Sequence, residues 1–172
     1  MAERSHSVPA AGFHLRPFRR ADLEKLYQID QVCFSPGIAY SKAELRYYLQ
    51  HPKSFTVIAE NAADQETGDP NIVGFCTTQR HLHEGSHFGH LITIDVLPEA
   101  RRQGTGRLLL MAVEEHLRAS AVQWIRLEVA VDNAQAQCFY LSMGYETIGR
   151  IPNYYLGRLD ALVMQKHFTG DV

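Results

Sequence analysis

The chain has 172 residues, 45% of them hydrophobic and 21% charged, with a formal net charge of −2. Such a length accommodates one well-buried domain, and this composition is ordinary globular usage, which excludes a disordered chain. No apolar run approaches the roughly 20 residues of a spanning helix, Glu3 to His6 denies the N-terminus a signal-peptide core, and the charge balance lacks the basic excess that holds nucleic acid; the reading is a cytoplasmic protein with no membrane and no nucleic-acid partner.

In chain order, residues 1–11 read as a flexible tail, 12–168 as a single domain and 169–172 as a C-terminal tail. Leu15 to Phe18 reads as a first strand, and Arg20 to Phe34 carries apolar residues at helical spacing until Pro36 and Gly37 stop it. Arg16, Arg19 and Arg20 read as a solvated face. Ser41 and Glu44 have capping-box spacing for a second helix that ends before Pro52. Phe55 to Ala59 and Ile72 to Thr78 are strands joined by a long exposed connection from Asn61 to Asn71, and Leu91 to Val96 is a third. Between them His81, His83, His87 and His90, with Glu84 among them, lack the fixed separation of a zinc site and read as solvated loop histidines, so no metal is expected. After a glycine turn, a helix buries Leu109, Ala112, Val113 and Leu117. Trp124 to Val131 alternates, with Ile125, Leu127 and Val129 on one face and Arg126 and Glu128 on the other. Asp132 or Asn133 caps a helix from Ala134 to Met143, Gly144 ends it, and strands at Tyr145 to Ile151 and Leu159 to Met164 follow. Cys33, Cys76 and Cys138 are widely spaced in apolar surroundings and read as buried free thiols. The order βααβββαβαββ specifies an α+β fold: a twisted, mostly antiparallel sheet of about seven strands with helices on both faces and one right-handed β-α-β crossover.

The most informative stretch is Arg101, Arg102, Gln103, Gly104, Thr105 and Gly106, between an apolar strand and an amphipathic helix. A strand that turns through glycines into a helix leaves backbone N–H groups unpaired at the positive end of the helix dipole, where an anion such as phosphate is held. The turn lacks the Lys and Ser/Thr of a Walker loop and the third glycine of a dinucleotide fingerprint. Arg, any, any, Gly, any, Gly after Ile94, Asp95 and Val96 instead resembles the acetyl-CoA pyrophosphate loop of the GCN5-related N-acetyltransferase (GNAT) family. Leu127, Glu128 and Val129, then Asp132 and Asn133, then Phe139, Tyr140, Met143, Gly144 and Tyr145 extend the likeness; with Asn153, Tyr154, Tyr155, Asp160, Ala161 and Met164 they point to the RimI-like branch, the ribosomal-protein alanine N-acetyltransferases.

That resemblance implies a GNAT-like fold and direct transfer of acetyl from acetyl-CoA, a co-substrate, to an amine. It implies that Ile94, Asp95 and Val96 pair by backbone with the pantetheine arm, that Arg102, Gln103, Gly104, Thr105, Gly106 and Arg107 wrap the pyrophosphate, and that Asn133 contacts the cofactor. Glu128 matches the general base and Tyr140 the general acid, while Phe34, Tyr40, Tyr154 and Tyr155 flank the acceptor. An α-amine with a pKa near 8 needs only about 1 kcal/mol to lose its proton at neutral pH, whereas lysine needs roughly 4 to 5, so one carboxylate suffices for an N-terminus. Taken singly, Tyr140 also reads as a packed aromatic, Glu128 as a salt-bridge partner and Asn133 as a helix cap. The leading expectation is an N-acetyltransferase acting on a protein or peptide N-terminus, as a monomer or homodimer. Acetylation of a small amine, such as a polyamine, amino acid or aminoglycoside, and a non-catalytic acyl-CoA-binding module are the alternatives; Asp30, Glu44 and Asp160 are scattered acids, which favours a peptide over a polyamine.

Overall fold

The computed structural model describes residues 12–61 and 71–168. In order they form β1 (Phe13–Pro17), a 3-10 turn (Arg20–Asp22), α1 (Leu23–Cys33), α2 (Lys42–Gln50), β2 (Ser54–Asn61), β3 (Ile72–His83) and β4 (Ser86–Val96). A second 3-10 turn (Pro98–Ala100) leads to α3 (Thr105–Ala119), β5 (Trp124–Ala130), α4 (Ala134–Ser142), β6 (Glu146–Tyr155) and β7 (Leu159–His167). The element order is the one expected from the sequence. Both tails and the connection between Asn61 and Asn71 fall outside the described residues, and no described helix is long and apolar enough to cross a membrane.

The seven strands form one sheet in the order β1-β2-β3-β4-β5-β7-β6, and of its pairings only β4 with β5 is parallel. Periodicity assigns the faces. Leu26, Ile29, Leu45 and Leu49 of α1 and α2 pack on Ile58, Ile72 and Phe75. On the opposite face, Leu109, Leu110, Val113 and Leu117 of α3, Tyr140 of α4 and Met143 just after it share a core with Cys76, Ile125, Leu127, Val129 and Met164. The alternation in β5 therefore leaves Arg126 and Glu128 on the α1/α2 side of the sheet. Ser41 caps α2 as expected: its hydroxyl accepts from the Glu44 N–H at 3.3 Å, and the Glu44 carboxylate accepts from the Ser41 N–H at 2.9 Å.

Three expectations are corrected. The β3–β4 hairpin runs on to His83 and Ser86, turning through Glu84 (φ 48°) and Gly85 (φ 80°), so His81, His83, His87 and His90 are strand residues rather than loop residues. Two successive residues at positive φ match the twist of a tight hairpin, and that two-residue turn was the signal the histidines obscured. Arg16 is not solvated: 8% exposed, it donates to Asp22 Oδ2 and Oδ1 (2.8 and 2.9 Å) and to Glu60 (2.7 Å), joining β1, the following turn and β2, while Arg19 and Arg20 are exposed. All three cysteines are free, but only Cys76 is buried; Cys138, next to Phe139 in sequence, faces outward because α4 is a single-sided helix on the sheet.

Candidate active site

The sheet opens where β4 leaves β5. The two strands pair only from Phe88, Gly89 and His90 to Trp124, Ile125 and Arg126; beyond that they diverge, and Leu91 to Val96 present a backbone edge with no strand beside it. Across β3 the register slips between Thr77 and Thr78, which leaves Ile92 as an extra residue in β4, and its carbonyl accepts from the Tyr40 hydroxyl at 3.2 Å. This edge carries Ile94, Asp95 and Val96. The Asp95 side chain is buried on the α1/α2 side, accepting from the Thr93 hydroxyl, so it has only its backbone to offer a ligand.

Below the open edge β4 runs into the glycine turn. Arg102 and Gly104 both adopt left-handed φ (60° and 86°), and α3 begins with no side-chain cap. The first helical bond runs from the Leu108 N–H to the Gly104 carbonyl at 3.0 Å, so the N–H groups of Thr105, Gly106 and Arg107 precede it and point out of the helix end. The Thr105 hydroxyl is committed to the Ala100 carbonyl (2.9 Å), Gln103 to the Glu99 carbonyl (2.7 Å) and Arg101 to the Val96 carbonyl (2.8 Å), bonds that brace the turn. Arg102 and Arg107 are exposed. A Cβ at Gly106 would come no closer than 3.7 Å to any atom, so protein packing does not require glycine there. A bare backbone at that place suits the close approach of a diphosphate, and the turn fits the phosphates of coenzyme A. Asn133 acts as the cap of α4, its Oδ1 accepting from the Ala136 N–H at 3.1 Å.

Glu128 lies two residues beyond Arg126, the last β5 residue paired with β4, inside the fork. Its Oε2 is 2.5 Å from His90 Nε2, and Oε1 lies 3.6 Å from Arg126 Nε. Burial pushes the Glu128 pKa up, but the hydrogen bond and charge of His90, with Arg126, pull it further down, so the group is held below the usual glutamate range and is a carboxylate. Tyr140 projects from α4, 7% exposed, between Phe139 and Tyr145. Burial, with Cys76, Tyr155 and Asp95 nearby, raises its pKa, so the phenol stays protonated. Tyr155 links the two: its hydroxyl donates to the Glu128 carbonyl at 3.2 Å, and its phenol is among the groups that perturb Tyr140.

Of the expected acceptor-flanking residues, Tyr40 is anchored to β4 and Tyr154 stands edge-on to Tyr155 with ring centroids 4.9 Å apart. Tyr154 is 46% exposed and feels the charges of Glu128 and Arg126. Phe34 is half-buried at the end of α1. The α1–α2 loop meets the β6–β7 turn, since a Cβ on Gly37 would lie 2.7 Å from the Leu156 side chain. The sequence reading missed His90, Arg126 and Tyr48, which stacks edge-on with Tyr40 at 5.3 Å. Only the alternation of β5, which sends Arg126 the same way as Glu128, offered a clue in advance.

A forked sheet with an uncapped helix N-terminus on one arm and a carboxylate on the other is the frame of a transferase. The chain belongs to the acetyltransferase (GNAT) family, whose model matches residues 23–145, and it is an acyltransferase. It is 30% identical over 153 residues to an uncharacterized N-acetyltransferase of Methanocaldococcus jannaschii, covering 88% of this chain and 90% of that one. Among solved structures it is similar to the ribosomal-protein-S18-alanine N-acetyltransferase of Escherichia coli (TM-score 0.75, 26% identity, 92% of this chain and 97% of that one). It is also similar to Arabidopsis thaliana Naa50 in complex with the bisubstrate analogue CoA-Ac-MVNAL (TM-score 0.74, 25% identity, 92% and 100%).

Proposed function

We propose that this acyltransferase moves the acetyl group of acetyl-CoA to the N-terminal α-amine of a protein or peptide. The observation that carries the reading is the fork itself: an open β4 edge ends in an anion-binding turn, and Glu128 stands on the facing strand. The diphosphate lies on the N–H groups of Gly104 to Arg107 and the pantetheine arm runs along Ile94 to Val96. The carbonyl of the thioester then accepts a hydrogen bond from a backbone N–H of that edge.

The chemistry is one displacement. Glu128, directly or through a water, takes one proton from the ammonium; the freed nitrogen pair attacks the thioester carbon and charge builds on its oxygen. As the C–S bond breaks, its electron pair goes to sulfur, which receives the Tyr140 proton. The new amide nitrogen sheds its second proton as it becomes neutral, which restores Tyr140. Of the two protons lost by the ammonium, one ends on the thiol and one leaves to solvent.

A peptide acceptor is favoured over a polyamine by the state of the nearby acids. Asp30 is buried, Glu44 caps α2, and Asp160 accepts from the Arg150 guanidinium at 2.6 Å and the Asn153 N–H at 2.8 Å. None of the three is an exposed, unpaired carboxylate of the kind a polycation needs. The test is incubation with acetyl-CoA and peptides beginning Ala, Ser, Met or Gly, beside an N-blocked lysine peptide and spermidine, read by thiol release and mass. Acetyl gain at free N-termini is expected; acetylation of spermidine or lysine alone contradicts the reading.

A further inference from the structure

The histidine at the root of the fork carries a step beyond that reading. His90 is the last β4 residue paired with β5, opposite Arg126, and Glu128 is the next β5 residue on the same face. Where the strands part, the imidazole spans the gap and its Nε2 sits 2.5 Å from Glu128 Oε2. An ionised carboxylate only accepts, so Nε2 carries the hydrogen. Both side chains are sheltered, 23% and 9% exposed, which makes this a contact in a water-poor setting rather than a surface pair. The other oxygen, Oε1, is 3.6 Å from Arg126 Nε, too long for a hydrogen bond, so it keeps its capacity to take a proton.

Arg126 on β5 lies over the Phe88 ring at 5.2 Å. Tyr154 and Tyr155 on β6 feel the charge of Glu128. On the far side of His90, His81 of β3 has its ring centroid 6.0 Å away and is itself stacked on Phe88 at 5.2 Å, with Lys53 and His51 acting on it from the connection between α2 and β2. His90 is thus wedged between this ladder of rings and the carboxylate. A free glutamate side chain samples several rotamers, and a rigid, wedged ring that holds one of its oxygens removes that freedom before the substrate arrives.

We propose that His90 is the positioning residue for Glu128: its Nε2–H holds Oε2 in place and leaves Oε1 as the atom that accepts the acceptor amine's proton. This rests on Glu128 being the base. In the step itself the ammonium N–H bond breaks, an Oε1–H bond forms and the electron pair stays on nitrogen; His90 neither gains nor loses a proton.

The test compares the unaltered protein with His90→Ala, His90→Asn and His90→Gln by carbon NMR titration of the Glu128 carboxyl in the free protein, with Glu128→Gln assigning that resonance by its absence. It adds pH profiles of kcat/KM with acetyl-CoA and an alanine-initiated peptide. In His90→Ala the Glu128 carboxyl and the acid limb of kcat/KM both move to higher pH. There kcat falls at least about tenfold with the KM for acetyl-CoA unchanged, because the loss is in the chemical step. Asn, too short to reach Oε2, behaves as Ala and decides the matter if the Ala variant does not fold. Gln, whose amide donates the same hydrogen bond, recovers most of kcat. If His90→Ala and His90→Asn keep kcat within about twofold and the limb in place while Glu128→Gln is inactive, the proposal is overturned and the base assignment stands. If Glu128→Gln is fully active, the base assignment falls and the proposal with it.

Discussion

At Tyr140 burial and chemistry act together. The phenol pKa is raised, so in the proposed reaction a full proton transfer to a thiolate near 8.5 is more uphill than for a free tyrosine, and the proposal gives much of its effect to a strong hydrogen bond donated to the departing sulfur. In Tyr140→Phe, kcat is expected to fall at least about tenfold while acetyl-CoA affinity holds, since the ring remains; kinetics beside calorimetry measures both, and unchanged turnover removes Tyr140 from the mechanism. Gly106 offers the opposite separation. A Cβ there touches nothing closer than 3.7 Å, so Gly106→Ala should keep or slightly raise the melting temperature while weakening acetyl-CoA binding about tenfold or more. A variant that binds normally shows that the diphosphate does not approach this backbone. Sequence motifs single out both residues for these tests, whereas nothing in the sequence singles out His90, whose partner lies 38 positions away.

Among the elements, α3 and β7 are locked by a buried acid. Glu114, 2% exposed, accepts from the Tyr145 hydroxyl at 3.0 Å and from Lys166 Nζ at 2.7 Å, and Arg118 lies 3.6 Å away. Removing the carboxylate leaves a half-sheltered ammonium and a buried hydroxyl unpaired, a loss of about 3–5 kcal/mol. Glu114→Ala should therefore melt on the order of 10 °C lower by scanning calorimetry, and a shift of under about 2 °C contradicts the account. The amphipathic pattern of α3 predicted the burial of Leu109, Val113 and Leu117 but not that of Leu110, and a charged residue at position 114 reads as solvated from the pattern alone. The same holds for Arg16, whose partners Asp22 and Glu60 are brought together only when β1 pairs with β2.

For the molecule as a whole, pH acts on buried carboxyls with opposite signs. Burial, opposed by hydrogen bonds from the Tyr40 N–H and the Gln31 amide, pushes the Asp30 pKa up to about 6. The folded state thus holds this proton more tightly than the unfolded chain, where the pKa is about 3.9, so its stabilising effect is full below about pH 4 and is lost as pH rises through the folded value. At Asp22, burial raises the pKa, but the Arg16 hydrogen bond and the Arg19 N–H outweigh it and the net shift is downward; its contribution is present above about pH 4 and lost as the solution becomes more acidic. Asp30→Asn should flatten the decline of melting temperature between about pH 4 and 7, and Asp22→Asn should lower melting at neutral pH and remove the acid-side loss. Curves for Asp30→Asn parallel to those of the unaltered protein contradict the assignment.

Local chemistry was enough to specify the order of elements, the two helix-bearing faces, the capped start of α2 and the glycine turn, because each depends on residues a few positions apart. The hydrophobic period decides a strand or helix, and a turn through Arg102 and Gly104 needs no distant partner to leave N–H groups exposed. What only the tertiary structure decided are contacts between segments far apart in the chain: the point where β4 leaves β5, the His90–Glu128 contact across that gap, the burial of Arg16 and the closure of Leu156 over Gly37. Such pairs depend on strand register and twist, which are set by the packing of the whole sheet rather than by any short run of residues.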